Sequence, residues 1–130
     1  MEDIILFVDD DEKILAAMRR ELMDEDLTAL TAGSASEALE VLARMPCKVI
    51  VADVKMPGTN GFELLEMAKE INPKIVRMIL SGHADVELIL AEVNRKGIDR
   101  YIVKPWDPGI LKKLLCDGVE LYDLRQSAGS

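Results

Sequence analysis

Five short strand-like runs, most of them wholly or mainly apolar, alternate along this chain with stretches whose apolar residues recur at helical spacing. Runs without alternating polar residues are typical of strands that are buried on both faces and pair in parallel. Parallel strands need crossover connections, and the amphipathic stretches between the runs supply them. The pattern therefore predicts an α/β fold, with helices covering both faces of a parallel sheet. The predicted strands are residues 4–8, 28–32, 49–52, 75–80 and 101–103.

Capping residues mark where several of the intervening helices begin and end. We expect Ser34 and Glu37 to form a capping box, in which each side chain accepts a hydrogen bond from a backbone N–H of the first turn. Asp11 and Asp107 are predicted N-caps, since their carboxylates can accept from unpaired N–H groups. Gly97 is a predicted C-cap, because glycine readily adopts the left-handed conformation found there.

The chain length of 130 residues favours one domain with one core. We place that domain at residues 1–125. Residues 126–130 are small and polar, and they predict a frayed tail or the start of a linker. Residues 57–61 have the composition of a turn.

Charge and composition exclude several classes of function. The formal net charge of −8 argues against direct nucleic-acid binding, which needs clustered Lys and Arg. Two separate cysteines and one histidine do not favour a zinc site. No apolar run approaches the roughly 18 residues that span a membrane, and the acidic start does not match a signal peptide. We expect a cytoplasmic protein with no membrane contact.

Polar side chains stand where four of the predicted strands end. Asp9 and Asp10 follow the first strand, Asp53 the third, Ser81 the fourth and Lys104 the fifth. The carboxyl ends of parallel strands lie along one edge of the sheet, where open α/β folds bind their ligands. We therefore expect these five residues to converge on one crevice.

Three carboxylates in one crevice need positive charge nearby. At a separation of about 4 Å each pair repels by about 4 kcal/mol at an effective dielectric constant near 20. Lys104 supplies one positive charge. Clustered carboxylates without histidine or thiolate favour a hard divalent cation, Mg²⁺ or alternatively Mn²⁺.

Such a crevice suits phosphoryl transfer. Asp53 can attack an activated phosphorus atom as a carboxylate nucleophile. Lys104 and the cation would stabilise charge on the phosphoryl oxygens. The hydroxyl of Ser81 can donate a hydrogen bond to the phosphoryl group once it is bound.

The chain resembles the receiver domains of two-component response regulators over nearly its whole length. Each of the matching segments lies at the end of a predicted strand, and their order along the chain makes the resemblance specific. The resemblance implies a flavodoxin-like (βα)5 fold, doubly wound, with a five-stranded parallel sheet of strand order 2-1-3-4-5. The segments are residues 8–11, 53–61, 81–84 and 101–105.

By this resemblance Asp53 is the phosphoacceptor. Asp10 and Asp53 would bind Mg²⁺ directly, Asp9 would bind it through water, and the backbone carbonyl of Lys55 would complete the protein ligands. Lys104 and Ser81 would bind the phosphoryl group. The phosphodonor would be a phosphohistidine on a sensor histidine kinase or on a phosphotransfer protein.

The resemblance also implies a switch. Ser81 would move toward the phosphoryl group and Tyr101 would rotate inward, changing the surface formed by helix 4, strand 5 and helix 5. That surface would control an output domain or partner protein, with a homodimer through it as one possibility. Lys55 and His83 occupy rim positions that tune the lifetime of the phosphoryl group in this family. The chain would not be an enzyme beyond its own phosphorylation and dephosphorylation.

Three other readings stay open. Because Trp106 follows Lys104 and Pro105, the chain resembles receivers attached to HD-GYP-type phosphodiesterase modules. Alternatively, Trp106 simply anchors the start of helix 5. Asp9 and Asp11 resemble the nucleophile and acid of haloacid-dehalogenase-type phosphatases. The chain could also be a docking module that accepts no phosphoryl group.

Overall fold

The computed structural model describes residues 2–23, 25–82 and 86–128, with the backbone alone at residues 86 and 88. Strands and helices alternate along these residues. The strands are β1 Ile4–Val8, β2 Thr28–Ala32, β3 Val49–Asp53, β4 Val76–Gly82 and β5 Arg100–Lys104. The helices are α1 Glu12–Glu21, α2 Ala35–Arg44, α3 Gly61–Ile71, α4 Val86–Lys96 and α5 Pro108–Ala128.

The five strands form one parallel sheet in the order β2-β1-β3-β4-β5. This confirms the predicted α/β class and the strand order implied by the resemblance. The order reverses at β1, which pairs with β2 on one side and β3 on the other. The carboxyl ends of β1 and β3 therefore lie side by side at the switch point, where folds of this type form crevices.

Side-chain alternation along the strands divides the core into two halves. Ile4, Leu6 and Val8 of β1 pack in a cluster with buried residues of α2, α3 and α4. Ile5 and Phe7 point to the other face and pack with buried residues of α1 and α5. Successive strand residues point to opposite faces, so this all-apolar strand fills both halves of the core. Within the described residues no helix is both long and apolar enough to cross a lipid bilayer.

The predicted N-caps are confirmed. The Asp11 carboxylate accepts from the Lys13 N–H at 2.9 Å, and that of Asp107 accepts from the Gly109 N–H at 2.9 Å. The capping box of α2 forms only in part. The Ser34 hydroxyl accepts from the Glu37 N–H as expected, but the Glu37 carboxylate accepts from the N–H of Gly33 rather than that of Ser34. The N–H groups of Gly33 and Glu37 at the start of α2 therefore both have acceptors.

The fourth helix ends as predicted. Gly97 follows α4 with a φ of +66°, in the left-handed region that favours glycine. The N–H of Ile98 donates to the carbonyl of Val93 at 3.0 Å, which completes a Schellman turn. From β4, the buried guanidinium of Arg77 donates to the carbonyls of Lys96 and Gly97, both at 3.1 Å. The end of α4 is thus stabilised both by its own Schellman turn and by hydrogen bonds from β4.

Strands β3, β4 and β5 and helix α5 extend beyond their expected ends. Strand β4 continues through Gly82, because Ser81 and Gly82 still pair with β5. Helix α5 continues through Ala128, so the expectation of a frayed tail is wrong for residues 126–128. Two ion pairs hold the last turns of α5. Asp123 pairs with Lys48, and Arg125 pairs with Asp99. Residues 129–130 lie outside the described residues, and the domain boundary stays a prediction.

Candidate functional site

Three carboxylates meet where β1 and β3 end. Asp9 follows the last residue of β1, and Asp53 is the last residue of β3. Asp9, Asp10 and Asp53 each offer a carboxylate oxygen, and these oxygens lie within 4.8 Å of one another. Asp9 and Asp53 are buried, whereas Asp10 is exposed. The sheet topology thus brings together residues that are more than forty positions apart in the sequence, as the strand-end pattern predicted.

Lys104 is placed over this cluster by β5. Its ammonium nitrogen Nζ lies 3.0 Å from Oδ2 of Asp9 and 3.1 Å from Oδ1 of Asp53. The other oxygen of Asp9, Oδ1, accepts from the Asp11 N–H at 2.9 Å. Asp9 is therefore held through both carboxylate oxygens, and Lys104 forms a bridge between the ends of β1 and β3.

The local charges shift the titration of this cluster. Burial raises the pKa of Asp53, and the nearby charges of Asp9 and Asp10 raise it further. The hydrogen bond from Lys104 acts in the opposite direction, but the net pKa of Asp53 lies above its ordinary value. Burial lowers the pKa of Lys104, but its hydrogen bonds to Asp9 and Asp53 and their charges together raise it. Lys104 is therefore a cation at neutral pH.

Ser81 and Lys55 lie on the segments next to the carboxylate cluster, in β4 and directly after β3. Ser81 is buried in β4, one residue beyond Leu80, which pairs in register with Asp53. Its hydroxyl donates to the carbonyl of Gly82 at 3.2 Å. Lys55 is exposed in the loop after β3. His83 lies outside the described residues, so its predicted position is not tested.

Tyr101, in β5, packs against the core cluster beneath α4. Its hydroxyl is buried and has no hydrogen-bond partner within residues 2–23, 25–82 and 86–128. A buried hydroxyl without a partner is destabilising. The ring packs on the core side of β5, and its hydroxyl has no partner among the described residues.

The loop after Asp53 contains a feature that the sequence reading missed. Residues 57–61 were predicted as a turn, but Asn60 is the N-cap of α3 and forms a reciprocal capping box with Glu63. The Glu63 N–H donates to Asn60 Oδ1 at 3.0 Å, and the Asn60 N–H donates to Glu63 Oε1 at 3.4 Å. The spacing Asn-x-x-Glu before an apolar stretch was the readable signal. This box fixes the start of α3 beside the end of β3.

The donor set fits Mg²⁺. Three carboxylates and one lysine leave a formal surplus of two negative charges, which a divalent cation would neutralise. All three side chains offer oxygen, the ligand atom that Mg²⁺ prefers, and Mg²⁺ commonly takes one or two carboxylates and keeps several waters. Asp10 and Asp53 remain available for that role, since Asp9 is already held through both of its oxygens.

A groove lies directly beside Lys104. It has a volume of about 360 Å³ and a mainly apolar lining. A larger groove of about 480 Å³ runs along β2, but none of the site residues line it. We therefore place the functional site at the carboxylates and not at this larger groove. The groove beside Lys104 is lined by Ile14, Glu21, Lys104, Pro105 and Trp106.

Fold and site together define a doubly wound α/β protein with an acidic, lysine-bridged crevice at its switch point. A sequence profile of the response regulator receiver domain matches residues 5–115. The chain belongs to this receiver-domain family of two-component systems.

Individual relatives agree with this assignment. The chain is 44% identical over 121 residues to the hydrogenase transcriptional regulatory protein HoxA of Cupriavidus necator, covering 93% of the chain and 25% of that relative. A receiver domain from Clostridium thermocellum is 30% identical with a TM-score of 0.84, and the match covers 94% of this chain and 98% of that one. The receiver of an HD domain-containing protein from Pseudomonas fluorescens is 29% identical with a TM-score of 0.89, covering 97% and 93%. The chain spans about a quarter of the length of HoxA.

Proposed function

We propose that this receiver domain accepts a phosphoryl group on Asp53 with the help of Mg²⁺ and passes the signal on through its α4-β5-α5 surface. The single observation that carries the proposal is the bridge from Lys104 to Asp9 and Asp53 within a cluster of three carboxylates. The ion pairs of half-buried Lys104 with the two buried carboxylates would by themselves be structural. Combined with an exposed third carboxylate, they make a site with surplus negative charge and an open ligand position.

Asp53 is a better acceptor than Asp9. Both oxygens of Asp9 already accept hydrogen bonds, one from the Asp11 N–H and one from Lys104. Among these contacts Asp53 is held only through Oδ1, by Lys104. An acceptor needs a carboxylate oxygen that can reach phosphorus. This asymmetry argues against the alternative in which Asp9 is the nucleophile of a haloacid-dehalogenase-type phosphatase.

Transfer of the phosphoryl group from phosphohistidine to Asp53 exchanges one bond for another and needs no oxidant, reductant or second substrate. A carboxylate oxygen of Asp53 forms a bond to the phosphorus of a phosphohistidine, and the P–N bond breaks. The electron pair of that bond stays on the imidazole nitrogen, which takes up a proton from the solvent. Lys104 stabilises charge on the phosphoryl oxygens as the group arrives, because its ammonium is already fixed at Asp53. Bound Mg²⁺ would supply two further positive charges to those oxygens.

A protein donor fits the surroundings of the site. The groove between α1 and the β5–α5 connection lies next to Lys104 and presents the indole of Trp106 and the side chain of Ile14. An apolar groove beside a charged centre suits a protein surface better than a small free metabolite. A sensor histidine kinase or a phosphotransfer protein is therefore the proposed donor.

The proposed switch uses Ser81 and Tyr101. Ser81 now donates its hydroxyl hydrogen bond to the neighbouring Gly82 carbonyl, a weak local partner that a phosphoryl oxygen could replace. Tyr101 carries a buried hydroxyl without a partner in the described residues, so a rearrangement that satisfies it would be favourable. Movement at either residue would alter the α4-β5-α5 surface. The output controlled by that surface is a domain or partner protein.

Lys55 is proposed to lengthen the life of the phosphoryl group. It is exposed in the loop two residues after Asp53, at the rim that an attacking water must cross. We expect Lys55→Ala to shorten the half-life of phosphorylated protein, measured by loss of the modified species after removal of the donor. An unchanged half-life would contradict this role. His83 is proposed for the same rim, and His83→Ala provides the parallel measurement.

Phosphorylation with a small-molecule donor tests the proposal. Purified protein is incubated with acetyl phosphate and Mg²⁺, and intact mass spectrometry follows the modified fraction. We expect one phosphoryl group per chain, loss of modification with a metal chelator, and no modification of Asp53→Asn. Lack of modification at saturating Mg²⁺ would instead favour a docking module that accepts no phosphoryl group.

A further inference from the structure

Gly61, the first residue of α3, packs directly against the main chain of Asp53. Its N–H donates to the carbonyl of Val54 at 3.1 Å. A Cβ atom at this position would lie 2.9 Å from the carbonyl carbon of Asp53 and closer still to the carbonyl oxygen. Cβ atoms do not approach backbone atoms so closely. The φ of Gly61 is not positive, so glycine is needed here for space and not for conformation.

Neither side of this contact can easily retreat. On the helix side, the capping box between Asn60 and Glu63 fixes the first turn of α3. On the sheet side, the Val54 N–H donates to the carbonyl of Leu80 at 3.1 Å, and Asp53 pairs with Leu80 in register. The peptide group after Asp53 is thus held between β4 and the start of α3. A methyl group at position 61 has to displace it.

We propose that Gly61 is a positioning residue for phosphoryl acceptance on Asp53. Because it has no side chain, the start of α3 supports the Asp53 main chain and fixes the direction of the acceptor carboxylate. The same support sets the beginning of the loop that carries the carbonyl of Lys55, a proposed metal ligand. The inference rests on the proposed function of Asp53 and adds to it a residue that acts only through the backbone.

The test is the phosphorylation rate of Gly61→Ala with acetyl phosphate at increasing Mg²⁺ concentration. The rate is divided by the folded fraction, measured by circular dichroism. We expect the limiting rate per folded molecule to fall at least about tenfold, since a misplacement of about 1 Å can cost about 100-fold. We also expect the half-saturating Mg²⁺ concentration to rise, which a loss of stability alone would not produce.

Gly118→Ala is the matched control. A Cβ at Gly118 would lie 2.8 Å from Cε of Met78 and 3.1 Å from Cγ2 of Val49, so this change also crowds the core. Val49 is at the opposite end of β3 from Asp53. We expect Gly118→Ala to lose stability but to keep its rate per folded molecule and its Mg²⁺ dependence.

A double variant separates the two contacts of the added methyl group. The Cβ at position 61 would also lie 3.0 Å from Cδ1 of Ile79, and Ile79→Val removes that atom. Gly61→Ala/Ile79→Val should regain some stability without regaining the phosphorylation rate, because the clash with Asp53 remains. It also keeps the test decisive if Gly61→Ala folds poorly.

Three results would overturn the inference. These are an unchanged rate and Mg²⁺ dependence in Gly61→Ala, an equal loss in Gly118→Ala, and full recovery of the rate in the double variant. If the unsubstituted protein accepts no phosphoryl group, the proposed function fails first and this inference fails with it. A normal unsubstituted protein with a normal Gly61→Ala variant would overturn the positioning role alone.

Discussion

Asp53 is only 7% exposed and faces two further carboxylates. Its raised pKa, caused first by burial, means that the folded state binds the proton more tightly than the unfolded state does. The carboxyl group therefore contributes stability when protonated, at pH values below the unfolded pKa of about 3.9. That contribution is lost as the pH rises through the higher folded-state pKa.

This sign leads to a prediction for Asp53→Asn. Without metal, the variant should be more stable than the unsubstituted protein at pH 7, because it lacks the buried charge. The difference should shrink as the pH falls toward about 3.9, where the carboxyl group becomes neutral. Urea unfolding at several pH values measures it. A variant less stable than the unsubstituted protein at pH 7 would contradict the account.

Lys104 carries the second prediction at this scale. Lys104→Met removes the ammonium group that contacts both Asp9 and Asp53. We expect phosphorylation by acetyl phosphate to slow about 100-fold or more, the usual effect of removing one preorganised charge-stabilising donor. Lys113→Met is the control, since this lysine is exposed on α5 and pairs only with Asp117 among the ion pairs described. Equal rates for Lys104→Met and Lys113→Met would exclude the proposed role.

At the scale of the elements, the end of α4 is stabilised by the side chain of Arg77 in β4. The guanidinium of Arg77 donates to Lys96 and Gly97 at the end of α4, and also to the carbonyl of Leu65 in α3 at 3.3 Å. Carbonyls at the end of a helix lack intrahelical partners, and a cation there also interacts favourably with the negative end of the helix dipole. Arg77 therefore joins β4, α3 and α4 at the edge of the sheet opposite the carboxylates.

Arg77→Leu should loosen this junction. We expect the free energy of unfolding to fall by about 1–3 kcal/mol for each carbonyl left without a donor, and the amides at the end of α4 to exchange faster with deuterium. Arg95→Leu is the control, because Arg95 is exposed and pairs with Glu92 on the same helix. Unchanged exchange at the end of α4 in Arg77→Leu would show that the helix is held by other contacts.

The sequence predicted the elements well where a pattern had one physical explanation. The sequence patterns predicted β1 and β2 to the residue. For β1, burial on both faces leaves little else that an apolar five-residue segment can do, whereas four of the five residues of β2 are only half-buried. Strand ends also predicted that Asp9, Asp10, Asp53 and Lys104 would meet. Their roles in phosphoryl transfer stay predictions.

Misses arose where tertiary contacts decided. The end of α5 looked like a tail, since nothing in residues 126–128 signals that Asp123 and Arg125 hold the preceding turn. Arg77 interrupts an apolar strand, and that interruption was a readable signal that we did not interpret. Its partners could not be read, because they lie on two other elements.

For the whole molecule, the α4-β5-α5 surface is where a second copy is expected to bind. It exposes Leu90 of α4 and Ile110 of α5, at 43% and 60%. Apolar side chains exposed beside a switch are candidates for contact once the surface changes.

We expect phosphorylation to promote dimerisation of this domain, measured by sedimentation velocity with and without acetyl phosphate. Ile110→Glu should leave phosphorylation intact and weaken the dimer, because it places a charge in the apolar contact. Met45→Glu is the control, since Met45 is exposed directly after α2 and lines the groove along β2, at the opposite edge of the sheet from β5. Equal dimerisation of the unsubstituted protein and Ile110→Glu would place the contact elsewhere.

The chemical position of the modification tests the central claim most directly. Protein treated with acetyl phosphate and Mg²⁺ is reduced with borohydride, which converts an aspartyl phosphate to homoserine, and the peptides are sequenced by mass spectrometry. The account predicts homoserine at position 53 alone, and none without Mg²⁺. Homoserine at position 9, or at no position, would contradict it.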